Sequence, residues 1–381
     1  MMSRAERTLF GEWWWTVDRS ILFCIGILML CSIVFGMAAS PAVAERIHVS
    51  TFHFVNRQAI YLVPAISLLI LTSFLSPRYV RRVALPIFLI GVVLMVGTLF
   101  FSADIKGSRR WILGIQPSEF VKPAFVVMAA WAFSEGARRK DLPGGIIAVL
   151  LLPLTLTPLV LQPDVGQTML LATVWGGLFF LAGLHWFWVG GLMAAGSSGL
   201  YLAYQFIPHV TARLDRFLAD KGTQDTFQID TALESITSGG WLGKGPGEGT
   251  LKRILPDSHT DFIFAVTAEE FGILVCIGLI LVFAYIVMRG FWLSRRNEDA
   301  FCRLAGAGLT LLFGLQSCIN ISVNLRLMPP KGMTLPFVSY GGSSLMSLAL
   351  GMGFLLAVTR KRPRAEIIDP LPSHSLKVAP A

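Results

Sequence analysis

The sequence predicts an all-α integral membrane protein with ten transmembrane helices and one long extracytoplasmic loop. The chain of 381 residues is 54% hydrophobic, and only 14% of its residues are charged, whereas about a quarter are charged in a soluble domain. Its mean hydropathy is +0.65. Apolar runs of about 20 residues, the length that crosses a bilayer, recur along most of the chain.

Ten apolar windows give the expected spans. They cover residues 20–39, 57–75, 83–101, 119–135, 145–161, 166–183, 187–206, 262–287, 301–325 and 343–359. The first window is longer than the apolar part of a signal peptide, so we expect a retained span with Trp13, Trp14 and Trp15 at its membrane interface. The five cysteines lie inside apolar runs without metal-ligand spacing, and we expect them to be core residues.

The basic residues orient these spans. With the N-terminus inside, 18 of the 32 Lys and Arg residues fall in inner loops, which places both termini in the cytoplasm of an inner-membrane protein. The chain then divides into a cytoplasmic segment 1–19, a membrane domain 20–360 and a cytoplasmic tail 361–381 that we expect to be disordered.

The other 14 basic residues lie outside, where the same rule disfavours them. Arg46 and Arg57 are expected to be solvated loop charges. Others crowd or flank the ends of spans, namely Lys106, Arg109, Arg110, Lys122, Lys252, Arg253, Arg326 and Lys331. Cations gathered at the outer boundary suit an anionic ligand such as a lipid-linked phosphate or pyrophosphate.

Two outer segments are candidates for the walls of a site. Residues 331–344 form a polar, glycine-rich stretch between two apolar runs, and irregular backbone at that depth must be buried in protein or line a cavity. The loop 208–261 is long enough to be functional. Within it, residues 227–236 predict an amphipathic helix and residues 239–249 are rich in glycine.

Acidic residues follow this loop. Asp261 begins an apolar helix, so it either stabilises the helix N-terminus, with Asp257 or Ser258 as the N-cap, or acts as a general base. Glu269 and Glu270 lie deeper in the same span and need partners. A structural ion pair and a catalytic role both stay open for them.

Five short motifs occur in a fixed order along the chain. They are GSRRWI at 107–112, QPSEFVK at 116–122, QPDVGQ at 162–167, HTDFIFA at 259–265 and PFVSYGGSS at 336–344. Together they resemble the SEDS family of shape, elongation, division and sporulation proteins over residues 20 to 360. The stretch KGMTLP at 331–336 is similar to the cell-division branch of that family.

The resemblance implies ten transmembrane helices and a peptidoglycan glycosyltransferase that polymerises lipid II during septal cell-wall synthesis. It implies that Asp261 is catalytic. The candidate substrate-binding residues in these motifs are Arg110, Lys122, Lys331, His259 and Ser339. Either the cations of the protein or a divalent cation, Mg²⁺ or Mn²⁺, can stabilise the charge of a pyrophosphate leaving group, so the sequence leaves a divalent cation as a candidate cofactor and requires none.

The resemblance also implies partners, namely a class B penicillin-binding protein transpeptidase and other divisome proteins, and no nucleic acid. Two positions depart from the sequence pattern of the family. Thr231 and Ala232 occupy positions where many members carry Gln and Ser, and Arg253 stands where some carry a glutamate. A lipid II flippase and a non-enzymatic scaffold that recruits a transpeptidase are the alternative functions.

The charge distribution predicts the topology in a testable way. Alkaline phosphatase is active only outside the cytoplasm, so a fusion at Lys221, in the long outer loop, should be active. A fusion at Arg295, in an inner loop, should be inactive. The reverse pattern would overturn the orientation and place Asp261 on the wrong face of the membrane.

Overall fold

The computed structural model describes residues 8–102, 110–139, 141, 143–183, 186–206, 211, 215, 227–330 and 332–361. Twelve α-helices lie within these residues. They are α1 (Leu9–Thr16), α2 (Arg19–Arg46), α3 (His53–Ser73), α4 (Pro77–Phe101), α5 (Pro117–Arg138), α6 (Gly144–Leu161), α7 (Val165–Leu181), α8 (Trp186–Phe206), α9 (Phe227–Gly239), α10 (Ile263–Arg295), α11 (Ala300–Asn324) and α12 (Gly342–Thr359). A short 3₁₀ turn, Leu251–Arg253, lies between α9 and α10.

Each of the ten predicted spans coincides with one of these helices, from α2 to α8 and from α10 to α12. Seven helices of the described chain are long and apolar enough to cross a membrane: α2, α3, α4, α6, α10, α11 and α12. The chain is therefore a multi-pass helical membrane protein. Helix α7 is apolar but has only 17 residues, and the count of ten spans stays a prediction.

Three helices form the centre of the bundle. In α12, 83% of the apolar window is buried, and in α11 67%, against 22% in α3. Helix α5 is buried without a break from Val121 to Ala130. A helix buried on every side must be surrounded by other helices, so these three form the core of the bundle. Helices α5 and α11 also bring buried polar groups into it, among them Lys122 and Gln316.

One end of the bundle holds both ends of the described chain together. The Lys361 amide donates to the Thr16 carbonyl oxygen at 3.3 Å, so the first and last described residues lie at the same end of the bundle. Trp13 is only 3% exposed and donates its indole N–H to Ser73 Oγ at 2.9 Å. The expected interfacial role is therefore wrong for Trp13, which packs in the core, whereas Trp14 and Trp15 are exposed.

Helix α10 is broken at Gly272, which adopts φ 85° and ψ 171°. The break leaves backbone amide and carbonyl groups of α10 without helical hydrogen bonds, and the turn after α9 provides their partners. Lys244 and Gly245 donate their amides to the carbonyl oxygens of Glu269 and Glu270 at 2.9 and 3.0 Å. In the other direction, the Ile273 amide donates to the Gly240 carbonyl oxygen at 3.0 Å. The glycine-rich loop is thus an integral part of this helix.

The break also shortens the membrane-crossing part of α10. Residues 273–295 extend about 34 Å at 1.5 Å per residue, which already spans a hydrocarbon core of about 30 Å. Residues 263–271 then form a separate short segment at the outer end. Glu269 and Glu270, expected deeper in a continuous span, lie beside the break instead.

Replacing Gly272 by Ala should destabilise the protein. A Cβ there would overlap the Trp241 carbonyl oxygen and the Gly243 nitrogen, and its backbone conformation is open essentially to glycine alone, so we expect a loss of roughly 1–3 kcal/mol. Gly278→Ala is the matched control, because a Cβ at this helical glycine meets nothing within 4 Å. Thermal unfolding in detergent measures both, and equal midpoints would contradict the role of the break.

Candidate active site

Asp261 lies two residues before the first residue of α10, at the end of the bundle opposite to the two ends of the described chain. The N-cap of α10 is Phe262, and no side chain accepts a hydrogen bond at that cap. The expected capping by Asp257 or Ser258 is therefore wrong. Instead, the Asp261 carbonyl oxygen accepts hydrogen bonds from Asn320 Nδ2 at 2.9 Å and Asn324 Nδ2 at 3.0 Å.

A polar stripe on α11 provides these bonds. Gln316, Asn320 and Asn324 are spaced four residues apart, so they share one face of the helix. Asn324 Oδ1 also accepts from the Ala265 amide at 3.1 Å, inside the first turn of α10. Sequence reasoning missed this stripe, although three amides at helical spacing within an apolar run were the signal that could have found it.

The same stripe holds the glycine-rich segment 332–344. Asn320 Nδ2 donates to the Met333 carbonyl oxygen at 2.6 Å and Gln316 Nε2 to the Thr334 carbonyl oxygen at 3.2 Å. A Cβ placed on Gly332 would lie 3.9 Å from Asp261 Oδ2. The segment therefore borders Asp261, and its role as a wall of a functional site stays a prediction. Lys331, the residue before Gly332, lies outside the described residues.

Ser339 shapes this segment from within. It is 4% exposed, and its hydroxyl accepts a hydrogen bond from the Leu335 amide at 2.8 Å. Its carbonyl oxygen accepts from Gln58 Nε2 of α3 at 3.4 Å. These contacts fix the loop conformation. The predicted role of Ser339 in substrate binding stays a prediction.

Lys122 lies in the centre of the bundle. It is 2% exposed, and its Nζ lies 2.9 Å from Glu119 Oε2 and donates to Gln316 Oε1 at 3.1 Å. Gln167 Nε2 donates to the same glutamate at 2.9 Å. The ion pair is thus enclosed by α5, α7 and α11, away from the surface where the sequence placed this cation.

Arg110 clamps the turn between α6 and α7. Its guanidinium donates to the carbonyl oxygens of Gln162 at 3.3 Å and Pro163 at 2.7 Å. It also lies 3.4 Å from Asp164 Oδ2. Burial raises the pKa of the Asp164 carboxyl, and the neighbouring Arg110 acts in the opposite sense. Arg110 therefore stabilises the turn between α6 and α7, in addition to any contact that it makes with substrate.

His259 packs between two aromatic rings on the outer side. Its ring centroid lies 4.4 Å from that of Phe54 and 5.4 Å from that of Tyr340. Burial lowers the pKa of His259 to about 4, so the imidazole is neutral at neutral pH. Any contact of His259 with a phosphate is consequently a hydrogen bond between a neutral ring and the ligand, without an ion pair.

Glu269 and Glu270 serve the loop structure. Glu269 accepts hydrogen bonds from the amides of Thr250 at 2.8 Å and Leu251 at 3.1 Å, and from Lys244 Nζ at 3.1 Å. Glu270 is ion-paired with Lys252, which is itself 4% exposed. Of the two alternatives left open for these carboxylates, the structural ion pair is the one that the geometry supports.

Arg46 and Arg57, predicted to be solvated, are exposed and also contact protein groups. Arg46 donates to the carbonyl oxygens of Lys252 and Leu255 at 3.3 and 2.8 Å, and Arg57 hydrogen-bonds the Tyr340 side chain. Of the cations expected at an anionic ligand, Arg326 is ion-paired with Asp230 of α9, while Lys106 and Arg109 lie outside the described residues.

The described side chains do not form a metal site of their own. No group of three or more His, Cys, Asp or Glu side chains within them could hold a metal ion. The candidate Mg²⁺ or Mn²⁺ therefore has no set of protein ligands among these residues, and it stays a candidate.

Comparisons with known proteins agree with the motifs and the fold. Residues 18–364 match the family of cell cycle proteins that comprises FtsW, RodA and SpoVE. The chain belongs to this family. The family resemblance read from the five motifs is thereby confirmed.

The chain resembles several FtsW proteins. It is 43% identical over 95% of its length to the "Probable peptidoglycan glycosyltransferase FtsW" of Caulobacter vibrioides, of which 94% is covered. It is 31% identical over 90% of its length to the protein of the same name from Hydrogenovibrio crunogenus, of which 92% is covered. These identities extend over the whole membrane domain.

Solved structures of relatives show the same fold. A chain from a structure described as "Structural coordination of polymerization and crosslinking by a peptidoglycan synthase complex" superposes with a TM-score of 0.75 at 26% identity, covering 90% of this chain and 97% of the other. The rod shape determining protein RodA of Thermus thermophilus gives 0.67 at 26% identity, covering 91% and 97%. The helix order of this family member is therefore that of the wider family.

The buried pair Glu119–Lys122 generates a stability prediction. Lys122→Met should leave Glu119 buried and unpaired, at a cost of about 3–5 kcal/mol. The double variant Glu119→Gln/Lys122→Met removes both charges and should recover much of that loss, as measured by thermal unfolding in detergent. If Lys122→Met unfolds like the wild type but no longer uses lipid II, Lys122 acts on substrate and the structural assignment is wrong.

Proposed function

We propose that this chain is the peptidoglycan glycosyltransferase of cell division, which polymerises lipid II into glycan strands on the outer face of the membrane. Two kinds of evidence support the proposal. Relatives that align over nine-tenths or more of the chain are named for this activity. Three of the motifs shared with the family are joined by hydrogen bonds: the Tyr340 amide donates to the His259 carbonyl oxygen at 3.0 Å, two residues from Asp261, and the Gln116 amide donates to Ser343 Oγ at 3.2 Å.

The observation that carries the proposal is the different surroundings of the three outer carboxylates. Glu269 and Glu270 are 0% and 1% exposed, and loop amides and lysines occupy them. Asp261 is only half-buried, and its carbonyl oxygen accepts hydrogen bonds from Asn320 and Asn324 of α11. A general base must be fixed in position and reachable by substrate, and a fixed backbone with partial exposure suits Asp261 to that role better than the two fully buried glutamates.

The reaction proposed at this site is a single inverting displacement. The Asp261 carboxylate takes the proton from the hydroxyl of the acceptor sugar, whose oxygen attacks the anomeric carbon of the donor. The bond to undecaprenyl pyrophosphate breaks, and this leaving group carries away the electron pair. Because pyrophosphate leaves readily as an anion, a cation beside it suffices and a second carboxylic acid is not needed, unlike in glycosidases.

Cations at the outer end would stabilise the pyrophosphate. Arg110 lies there with 14% of its side chain exposed, and Lys331 precedes Gly332, which borders Asp261. Lys122 is enclosed, so we assign it to positioning α5, α7 and α11 around the site. His259 and Ser339 act in the same proposal by shaping the loops around the substrate.

The proposal extends to the setting of the enzyme. A related solved structure is described as a complex that coordinates polymerisation and crosslinking. We infer that this chain works with a crosslinking enzyme, a class B penicillin-binding protein transpeptidase, and with other divisome proteins at the septum. In this proposal, the end of the bundle that holds both ends of the described chain faces the cytoplasm. Co-purification with such a transpeptidase from membranes tests the pairing.

Asp261→Asn tests the catalytic proposal. The substitution keeps the size and the backbone contacts to α11 but removes the proton acceptor, so polymerisation of lipid II by purified protein should fall by about 10²–10⁴-fold. The variant should still fold and bind lipid II. A rate near that of the wild type would show that Asp261 is structural.

Asp257→Asn is the matched control for this experiment. It makes the same chemical change four residues earlier in the same turn, at a residue with φ 52°, a conformation that Asn tolerates. This control should retain activity. If the wild-type protein itself moves lipid II across vesicles without polymerising it, or does neither, the flippase or the scaffold replaces the glycosyltransferase.

A further inference from the structure

A cavity of about 410 Å³ opens at the inner ends of α4 and α5, at the opposite end of the bundle from Asp261. Its walls are formed by Arg78, Arg81, Arg82, Leu85, Trp131, Glu135 and Arg139. Four arginines surround a single glutamate, so the lining has a formal net charge of +3. Such a concentration of guanidinium groups favours an anion with several oxygens.

The single carboxylate does not neutralise the cavity. Glu135 Oε1 lies 3.4 Å from Arg81 Nη1, and Glu135 Oε2 lies 3.7 Å from Arg139 Nε. These two contacts use both oxygens of the glutamate. Within the described chain, Arg78 and Arg82 are exposed and form no ion pair with a carboxylate, so their charges remain available to a ligand.

Two aromatic side chains prepare the cavity for binding. The Arg81 guanidinium lies 5.7 Å from the ring centroid of Trp131 and 4.9 Å from that of Phe301, which holds it in place. Trp131 thus forms an apolar wall of the cavity and holds Arg81 beside Glu135, while Arg78 and Arg82 stay on the open side.

The surroundings of the cavity are apolar on one side. Leu85 and Leu89, one helical turn apart on α4, are 38% and 52% exposed, and this helix is apolar enough to cross the membrane. They extend from the charged cavity toward the hydrocarbon region. A ligand that fits both parts carries a phosphate beside an acyl chain.

We propose that this cavity binds the headgroup of an anionic phospholipid from the leaflet on the side of the chain termini. The phosphate contacts Arg78 and Arg82, and an acyl chain lies along α4. A preference for basic residues at inner loops explains scattered cations. It does not explain four arginines around one cavity with an apolar exit.

The test uses the purified full-length chain in nanodiscs of dioleoyl phosphatidylcholine with added dioleoyl phosphatidylglycerol. Lipid that remains bound is counted by native mass spectrometry after release from the disc. In Arg78→Gln/Arg82→Gln, each lost arginine should weaken binding about fivefold, or roughly 25-fold together. Both residues are exposed, so the variant should fold.

The matched control is Arg138→Gln/Arg295→Gln, which removes two arginines from the same face but outside the cavity. It should keep the bound phosphatidylglycerol. Equal losses in the cavity variant and the control would overturn the site, because the lipid would then follow only the overall charge. Competition by millimolar inorganic phosphate that displaces the lipid completely would show that free phosphate is the ligand.

Discussion

The two hydrogen bonds from Asn320 and Asn324 to the Asp261 carbonyl oxygen are the interaction on which the outer end of this protein depends. Backbone outside regular structure at the membrane boundary needs partners within the protein, and these amides supply them to the start of α10 and to segment 332–344 at once. Each bond contributes about 1 kcal/mol, but together they determine where three elements meet. The position of Asp261 is fixed because the amides that bind its carbonyl oxygen also bind α10 and segment 332–344.

A second arrangement separates structural carboxylates from the catalytic candidate. At the break in α10, the backbone carbonyl oxygens of Glu269 and Glu270 accept hydrogen bonds from loop amides in place of those of a continuous helix. Their carboxylates bind further amides and lysines of the same loop. Charges of this kind are retained because removing one partner leaves the other buried and uncompensated. The carboxylates of Glu269 and Glu270 therefore anchor the adjoining loop to α10, whereas Asp261 borders the glycine-rich segment 332–344.

The helices could be predicted from the sequence because their signal is local: an apolar run of about 20 residues is visible without knowledge of its neighbours. The site was predictable only as a set of motifs. Lys122 illustrates the limit, since Glu119 is close in sequence, but Gln316, its other partner, is 194 residues away. The break at Gly272 was likewise hidden, because a single glycine in an apolar run acquires meaning only from Gly240 and Gly243, which approach it in three dimensions.

The interruption of α10 has a mechanical consequence. Residues 273–295 can tilt to match a thicker or thinner bilayer, as long spans do, but the hydrogen-bond ladder that would carry this rotation upward stops at Gly272. Residues 263–271 are instead attached to α11 through Asn324. Tilting of residues 273–295 therefore reaches residues 263–271 only through the loop hydrogen bonds of Gly240, Lys244 and Gly245, whereas Asn320 and Asn324 bind the Asp261 backbone directly, so that a force applied to α11 is the more direct route for changing the position of Asp261.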